Sequence, residues 1–410
     1  MVTRSCTALL VALACLLLAG CVSHTVKSTS VPPLQRPAEP LPEQELLDVG
    51  VAIFDPGLED YDEDDQVYPE VRRAEARFMP QLLAEAIQQS GAWGAVRVLP
   101  DGDRITDLRI EGKILHSDGE RVELAIRAVD SRGNTWLDNT YKARTSRYAY
   151  KNPTRRQYDP FQALYHQIAN DLLRKQSDKS SQEMRALRTI TELRFASNFA
   201  NSAFDDYLEK KRNGEYSIVR LPAEGDPMLE RVRAIRKRDH LFVDTLQEYY
   251  RDFSGEMHDP YQEWRKMSYE EAIALQELRA ESRRQLIAGG AAILAGIAAA
   301  GSSDRSSRSA GNVAIIGGGY LLKSGLETRN ESQIHVQALE ELGMSLEAEI
   351  TPRVIELDDR QVMLSGNVED QYNQWREILE EIYRNEVGAL DAAADSVNDT
   401  DSDKSVDTPS

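Results

Sequence analysis

Apolar and polar residues alternate in a pattern that defines a compact unit in the first third of the chain. Short apolar runs over 48–54 and 96–99 predict two strands, and apolar residues recur every three or four positions from Pro69 to Gln89, which predicts a helix. Strict alternation over 108–114 and 122–128, continued after a glycine turn, predicts a three-stranded antiparallel meander. Residues 47–150 are therefore expected to form one α/β module.

Helical spacing dominates the sequence that follows. Asp159-Pro160 and Asp259-Pro260 each have the form of a helix start, in which Asp caps free N–H groups and Pro occupies the first turn. The interval 151–285 is thus predicted to be helical. Residues 326–388 predict a helix, a β-hairpin and a last helix, and the acidic tail 389–410 is expected to be disordered. The predicted fold class is α+β.

A glycine-rich apolar stretch over 286–325 interrupts this charged helical sequence. Its two uncharged arms flank a polar Ser/Arg loop and predict a helical hairpin. Small residues allow close helix packing in each arm: Gly289, Ala292, Gly296, Ala300, then Gly317, Gly318 and Gly319. Sixteen residues span about 24 Å as a helix, less than the roughly 30 Å of a hydrocarbon core. Burial in the protein core or an oligomer, a dip into the membrane, and spanning within an assembly all stay open.

The N-terminus has the layout of a bacterial lipoprotein signal. Arg4 precedes an uncharged run that ends in Leu18-Ala19-Gly20-Cys21. The sequence predicts a signal peptide over 1–20, cleavage between Gly20 and Cys21, and attachment of fatty acyl chains, palmitate among them, to Cys21. The proline-rich interval 21–46 predicts a flexible tether. In enteric bacteria, an Asp directly after the lipidated cysteine retains a lipoprotein in the inner membrane. Position 22 is Val, which favours the periplasmic face of the outer membrane.

Charge and cysteine content narrow the class of protein. The formal net charge of −19 argues against a nucleic-acid partner. Cys6 and Cys15 would leave with the signal peptide, so the mature chain keeps no thiol besides Cys21. Arginines and a lysine over 231–238 form a basic cluster, for which a solvated helix face is favoured over a docking site.

No catalytic or metal-binding motif is visible. The histidines are scattered, and no spacing typical of a metalloprotease, a serine hydrolase or a phosphate-binding loop occurs. The sequence therefore predicts a protein that is not an enzyme and that holds no metal or cofactor.

Two phrases of the meander carry a resemblance. They are IEGKI over 110–114 and AVDSRGNTW over 128–136. With the strand–helix–strand order before them, they resemble the periplasmic α/β module of Tol-propeller N-terminal domains, curli-secretion lipoproteins and penicillin-binding-protein activator lipoproteins. The resemblance implies protein binding or assembly and passes on no catalytic residues.

These observations lead to one functional hypothesis and two alternatives. The hypothesis is a lipid-anchored periplasmic scaffold that binds an envelope protein and self-associates through the hairpin. The alternative is a regulatory lipoprotein that activates a cell-wall enzyme by contact, and a hydrolase with a site hidden from sequence ranks third.

Overall fold

The computed structural model describes the chain in seven intervals and four isolated positions between 337 and 344. Side chains are described for most of 31–274 and for 361–385. The intervals are 23–27, 31–59, 67–100, 104–151, 159–299, 353–356 and 361–402.

A six-stranded mixed sheet forms the centre of the fold, with strand order β1-β6-β5-β4-β2-β3. Strands β4, β5 and β6 are the predicted antiparallel meander, β2 runs parallel to both β3 and β4, and β1 runs parallel to β6. The α+β class is confirmed. The strands are β1 (Ser23–Lys27), β2 (Val49–Ala52), β3 (Val96–Leu99), β4 (Leu108–Ser117), β5 (Arg121–Asp130) and β6 (Thr135–Arg144).

Helices cover the sheet and extend beyond it. Helix α3 packs on β6 and on α1, and α6 packs on α1 and along the edge strand β3. At that edge the Gln247 side chain substitutes for a neighbouring strand, since it accepts from the Val98 N–H (2.8 Å) and donates to the Val98 carbonyl (2.9 Å). The helices are α1 (Pro69–Gln89), α2 (Arg147–Lys151), α3 (Gln162–Ser177), α4 (Ser181–Phe199), α5 (Asn201–Phe204), α6 (Pro227–Ala299) and α7 (Val368–Ser402).

Two small hairpins complete the described structure. Strands β7 (Leu208–Lys210) and β8 (Tyr216–Ile218) form one, and β9 (Arg353–Glu356) and β10 (Gln361–Leu364) form the other, which agrees with the β-hairpin predicted near the C-terminus. The final helix differs from its prediction. It runs through the acidic residues expected to be disordered, as far as Ser402, and the alanines at 392–394 are strong helix formers.

Within the described intervals, two prolines lie inside helices. Helix α1 has the predicted bounds and passes through Pro80 without ending. The helix start predicted at Asp259-Pro260 is wrong, because α6 passes through Pro260. An interior proline removes one backbone hydrogen bond. The fully buried side chains of Met257 and Tyr261, on either side of Pro260, supply apolar burial that offsets this loss.

The interval 21–46 is predicted to be a flexible tether, yet two of its described parts contact the body. Strand β1 pairs with β6. Further along, the Pro32 carbonyl contacts His166 Nδ1 (2.9 Å) and the Pro33 carbonyl accepts from the Asn170 amide (3.1 Å), both on α3. Prolines lack N–H donors, but their carbonyls remain available to polar side chains of a neighbouring helix.

The predicted boundary between the module 47–150 and the helical region 151–285 does not separate two cores. One contiguous set of buried apolar side chains runs from Leu47, two residues before β2, through α3, α4 and α6, to Tyr383 on α7. Phe78 of α1 and Tyr261 of α6 meet edge to face with ring centroids 5.2 Å apart, which illustrates this joint core.

Candidate functional site

The residues that the sequence singled out are only partly described. Gly289, Ala292 and Gly296 lie on the last turns of α6, where three- and four-residue spacing places them on one side of the helix. The remaining predicted residues lie outside the described part of the chain: Gly20, Cys21, Ala300, Gly317, Gly318 and Gly319. The second arm of the predicted hairpin therefore also lies outside it.

A buried ion pair that sequence reasoning did not find joins α6 to the start of α3. Arg265 Nη1 lies 2.6 Å from Asp159 Oδ2, and both side chains are sealed from solvent. The guanidinium lies between two rings, 4.7 Å from the centroid of Phe161 and 4.0 Å from that of Tyr261. Asp159 also accepts from the Phe161 N–H (2.8 Å), although α3 begins only at Gln162, with Phe161 and not the predicted Asp159 as its N-cap.

A second buried carboxylate extends this cluster to the sheet. Glu75 of α1 accepts hydrogen bonds from the hydroxyl of Tyr261 and from that of Ser117 at the end of β4 (2.6 Å for the latter). The β4–β5 turn packs directly on α6, where Gly119 N donates to Ser268 Oγ (3.1 Å). Three helices and the sheet thus meet around one arginine.

The pKa shifts of this cluster have a common cause. Burial alone lowers the pKa of the Arg265 guanidinium, but the Asp159 carboxylate and three neighbouring tyrosines more than offset it, and the net pKa is raised. Burial also raises the pKa of Tyr261, reinforced by Glu75. Arg265 is thus held charged and Tyr261 neutral, which is the arrangement of a structural network.

A second buried ion pair lies near the other end of the sheet, beside a small cavity. Arg104, in the loop before β4, contacts Asp239 of α6 at 2.8 Å. Arg104 Nη1 has no hydrogen-bond partner among the described residues. The cavity, about 30 Å³, has space for one or two waters. It is lined by Arg104, Ile105, Phe195, Asn198, Phe199, Asp239, Tyr372 and Arg376.

Positive charge exceeds negative charge around this second pair. Burial raises the pKa of Asp239, although Arg104 and Arg376 act in the opposite direction. Burial together with the charges of Arg104 and Arg236 lowers the pKa of the neighbouring His240 to about 2. His240 is therefore neutral at physiological pH, and the cavity wall combines apolar side chains with the charged groups of Arg104, Asp239 and Arg376.

The basic cluster over 231–238 divides between two environments. Arg233 is exposed and bonds Glu192 through two nitrogens (2.7 and 3.0 Å). Arg236 instead faces the buried Asp107, whose pKa is nevertheless raised because burial dominates. The cluster is therefore not a single basic face: the solvated helix face preferred from sequence describes Arg233, Lys237 and Arg238, whereas Arg231 and Arg236 are half-buried.

The sequence gives little signal for either ion pair. Asp159 and Arg265 are separated by 106 positions. From local sequence, Asp159 is interpreted as a helix cap and Arg265 as one of many charged residues on a helix. The fully buried tyrosines around Arg265 were a potential signal, because polar aromatic groups in a core require partners.

Two searches of the described residues complete the survey of the site. No group of His, Cys, Asp and Glu is placed to hold a metal ion within the described intervals. None of the helices described here has an apolar segment long enough to cross a membrane.

Comparison with known proteins gives the site no further assignment. No protein family, curated protein or solved structure matches this chain.

Proposed function

We propose that the chain is a lipid-anchored scaffold of the bacterial envelope, held by acylated Cys21 at the periplasmic face of the outer membrane. The observation that carries the proposal is the tetrapeptide Leu18-Ala19-Gly20-Cys21 at the end of an uncharged N-terminal run. Each acyl CH₂ in the bilayer contributes about 0.8 kcal/mol, so two or three chains suffice for stable attachment.

The body that would be anchored has the character of a binding module. Several of its buried polar groups bond one another, as in the Arg265–Asp159 pair and the Glu75–Ser117 hydrogen bond. Such networks fix the positions of helices on a sheet and leave the outer surfaces for partners. This supports an interaction protein, and the partner is an envelope protein.

The glycine-rich segment is the proposed means of self-association. Gly289, Ala292 and Gly296 lie on one side of α6, and small residues allow a second helix to approach closely. A deletion of 286–322 begins beyond Arg265, the last buried residue described on α6. The deleted protein is thus expected to keep its core and to lose its larger assemblies when detergent extracts are sized.

Fatty-acid labelling tests the anchor. The full chain, expressed in a bacterium that processes lipoproteins, is labelled with an alkyne-bearing palmitate. We expect the wild-type chain and the control Cys15→Ser to take up the label, because Cys15 lies inside the signal. Cys21→Ser should take up none and should retain its signal peptide. An unlabelled wild-type protein would refute the proposal.

A further inference from the structure

Strand β1 limits where on the sheet an anchor at position 21 would attach. β1 and β6 are parallel, with Ser23 opposite Thr140 in the middle of β6. Two residues span at most about 7 Å, whereas the five steps from Thr140 back to Thr135 span about 17 Å. An anchor at position 21 would therefore attach beside the middle of β6 and leave either end of the sheet free to face the membrane. One of these ends is formed by the β5–β6 turn.

Four cations lie at this same end. The β7–β8 hairpin docks on the β5–β6 turn, where Tyr216 N donates to the Arg132 carbonyl (2.7 Å). Gly133 has a φ of +101° there, and a Cβ on it would lie 3.0 Å from the Gly214 carbonyl oxygen, so the two turns touch. We name this surface the basic end; its cationic residues are Arg132, Lys210, Lys211 and Arg212.

The charge of the basic end contrasts with that of the whole chain. Lys210, Lys211 and Arg212 are exposed, and the hairpin opposes them with only Glu209 and Glu215. The full chain carries a net charge of −19. An anionic bilayer would therefore repel most of the body and attract this end, which orients the molecule.

Helix α6 runs away from the basic end. Asp239 contacts Arg104, just before β4 begins, and Ser268 contacts Gly119, just after β4 ends. β4 and β6 run the same way, because each is antiparallel to β5. Beyond Ser268, α6 continues to Ala299, about 45 Å of helix at 1.5 Å per residue.

We propose that the basic end rests on the phospholipid headgroups of the anchoring membrane, and that α6 consequently directs the glycine-rich segment away from that membrane. This inference rests on the proposed acylation of Cys21. It also distinguishes between two uses of the glycine-rich segment, self-association and insertion into the anchoring membrane. Pairing with a second copy of this chain fits the geometry, and a dip into the anchoring bilayer does not.

Site-specific fluorescence on the acylated protein tests the orientation. The mature chain has no cysteine besides Cys21, whose thiol is blocked by lipid, so one introduced cysteine accepts a polarity-sensitive dye uniquely. Asn213→Cys places the dye at the hairpin tip. Tyr148→Cys and Glu277→Cys, both exposed, place it at the opposite end of the sheet and on α6. The protein is reconstituted into phosphatidylethanolamine vesicles containing phosphatidylglycerol and a headgroup-labelled quencher lipid.

We expect strong quenching at position 213 and little at 148 or 277. Replacing Lys210, Lys211 and Arg212 by Gln should reduce quenching at 213, as should omission of the anionic lipid. Quenching at 213 no greater than at 148, in protein that floats with vesicles, would overturn the orientation and leave the anchor intact. Quenching at 277 would overturn the placement of α6. Protein that carries no acyl chain and does not float would refute the anchor itself.

Discussion

Two buried arginine–aspartate pairs join helix α6 to other parts of the fold, and their surroundings differ. Arg265–Asp159 and Arg104–Asp239 both bond within 2.8 Å and both are almost fully buried. The first lies between the rings of Phe161 and Tyr261, away from water. The second borders a cavity of about 30 Å³ and has other arginines as neighbours.

The difference teaches that burial alone does not define the role of an ion pair. A sealed pair with a balanced charge can only be satisfied by its own partner, so removal of one member leaves the other charge stranded. The second pair borders a cavity large enough for water, and burial raises the pKa of its carboxyl group. We therefore expect the first pair to hold α6 in a fixed position. At the second pair, where α6 meets α7, we expect stability to depend on pH.

The largest expected effect comes from breaking the sealed pair. Arg265→Met leaves Asp159 buried without its counter-ion, so we expect the free energy of unfolding to fall by about 3–5 kcal/mol. Urea denaturation followed by tryptophan fluorescence measures this. Lys266→Met, at the next and half-exposed position, should change stability by less than about 0.5 kcal/mol.

A double variant sharpens this prediction. Arg265→Met combined with Asp159→Asn removes both charges and keeps an acceptor for the Phe161 N–H. We expect it to be more stable than the single variant, because no uncompensated charge remains. If the double variant is the less stable of the two, the pair is not what holds α6 to α3.

The second effect concerns how closely α6 approaches the sheet at the sealed end. A Cβ on Gly119 would lie 1.9 Å from the Arg265 carbonyl oxygen and 2.2 Å from Tyr269 N, so backbone has to move. We expect Gly119→Ala to cost about 1–3 kcal/mol in urea unfolding.

Gly255 is the matched control, because it lies within α6 between the two pairs with open space around its Cβ position. Gly255→Ala should stabilise the protein by about 0.5–1 kcal/mol, since alanine favours the helix. A loss of stability at 255 equal to that at 119 would mean that the close approach is not the cause.

Local patterns predicted the local elements well and the long-range ones poorly. The meander and α1 follow from alternation and helical spacing within a few residues, and their predicted positions agree with the structure. Pro260 and β1 were misread because the compensating interactions, burial against α1 and pairing with β6, come from distant parts of the chain.

The ion pairs could not be predicted for the same reason. The partners in Arg104–Asp239 come from a loop and a helix more than a hundred positions apart, and the sequence is rich in both residue types. Only the folded arrangement decides which of the charges are buried together. Sequence alone therefore missed both pairs, whereas the proposed acylation of Cys21 and the glycine-rich segment rest on local patterns.

The smallest effect distinguishes the pair beside the cavity by its response to pH. The pKa of Asp239 is raised by burial, so the folded protein binds a proton there more tightly than the unfolded chain does. The stability contributed by this proton is full below the unfolded pKa, 3.8, and is lost as pH rises through the folded value. Asp239→Asn cannot take up the proton. Wild type should therefore gain stability relative to this variant as pH falls from 7 toward the unfolded pKa of 3.8.

Urea midpoints of both proteins across this pH range measure the difference in stability. The titrations of His240 and Asp107 cancel in this difference, because both proteins retain both residues. Asparagine resembles the neutral carboxyl group but leaves Arg104 without its counter-ion, so the test uses the trend of the stability difference with pH and not its value at one pH. Leu241→Gln, an exposed change on the same helix that removes no ionisable group, should show no such trend. If wild type instead loses stability relative to Asp239→Asn as pH falls, Arg104 outweighs burial, and the second pair would then behave as the sealed one does.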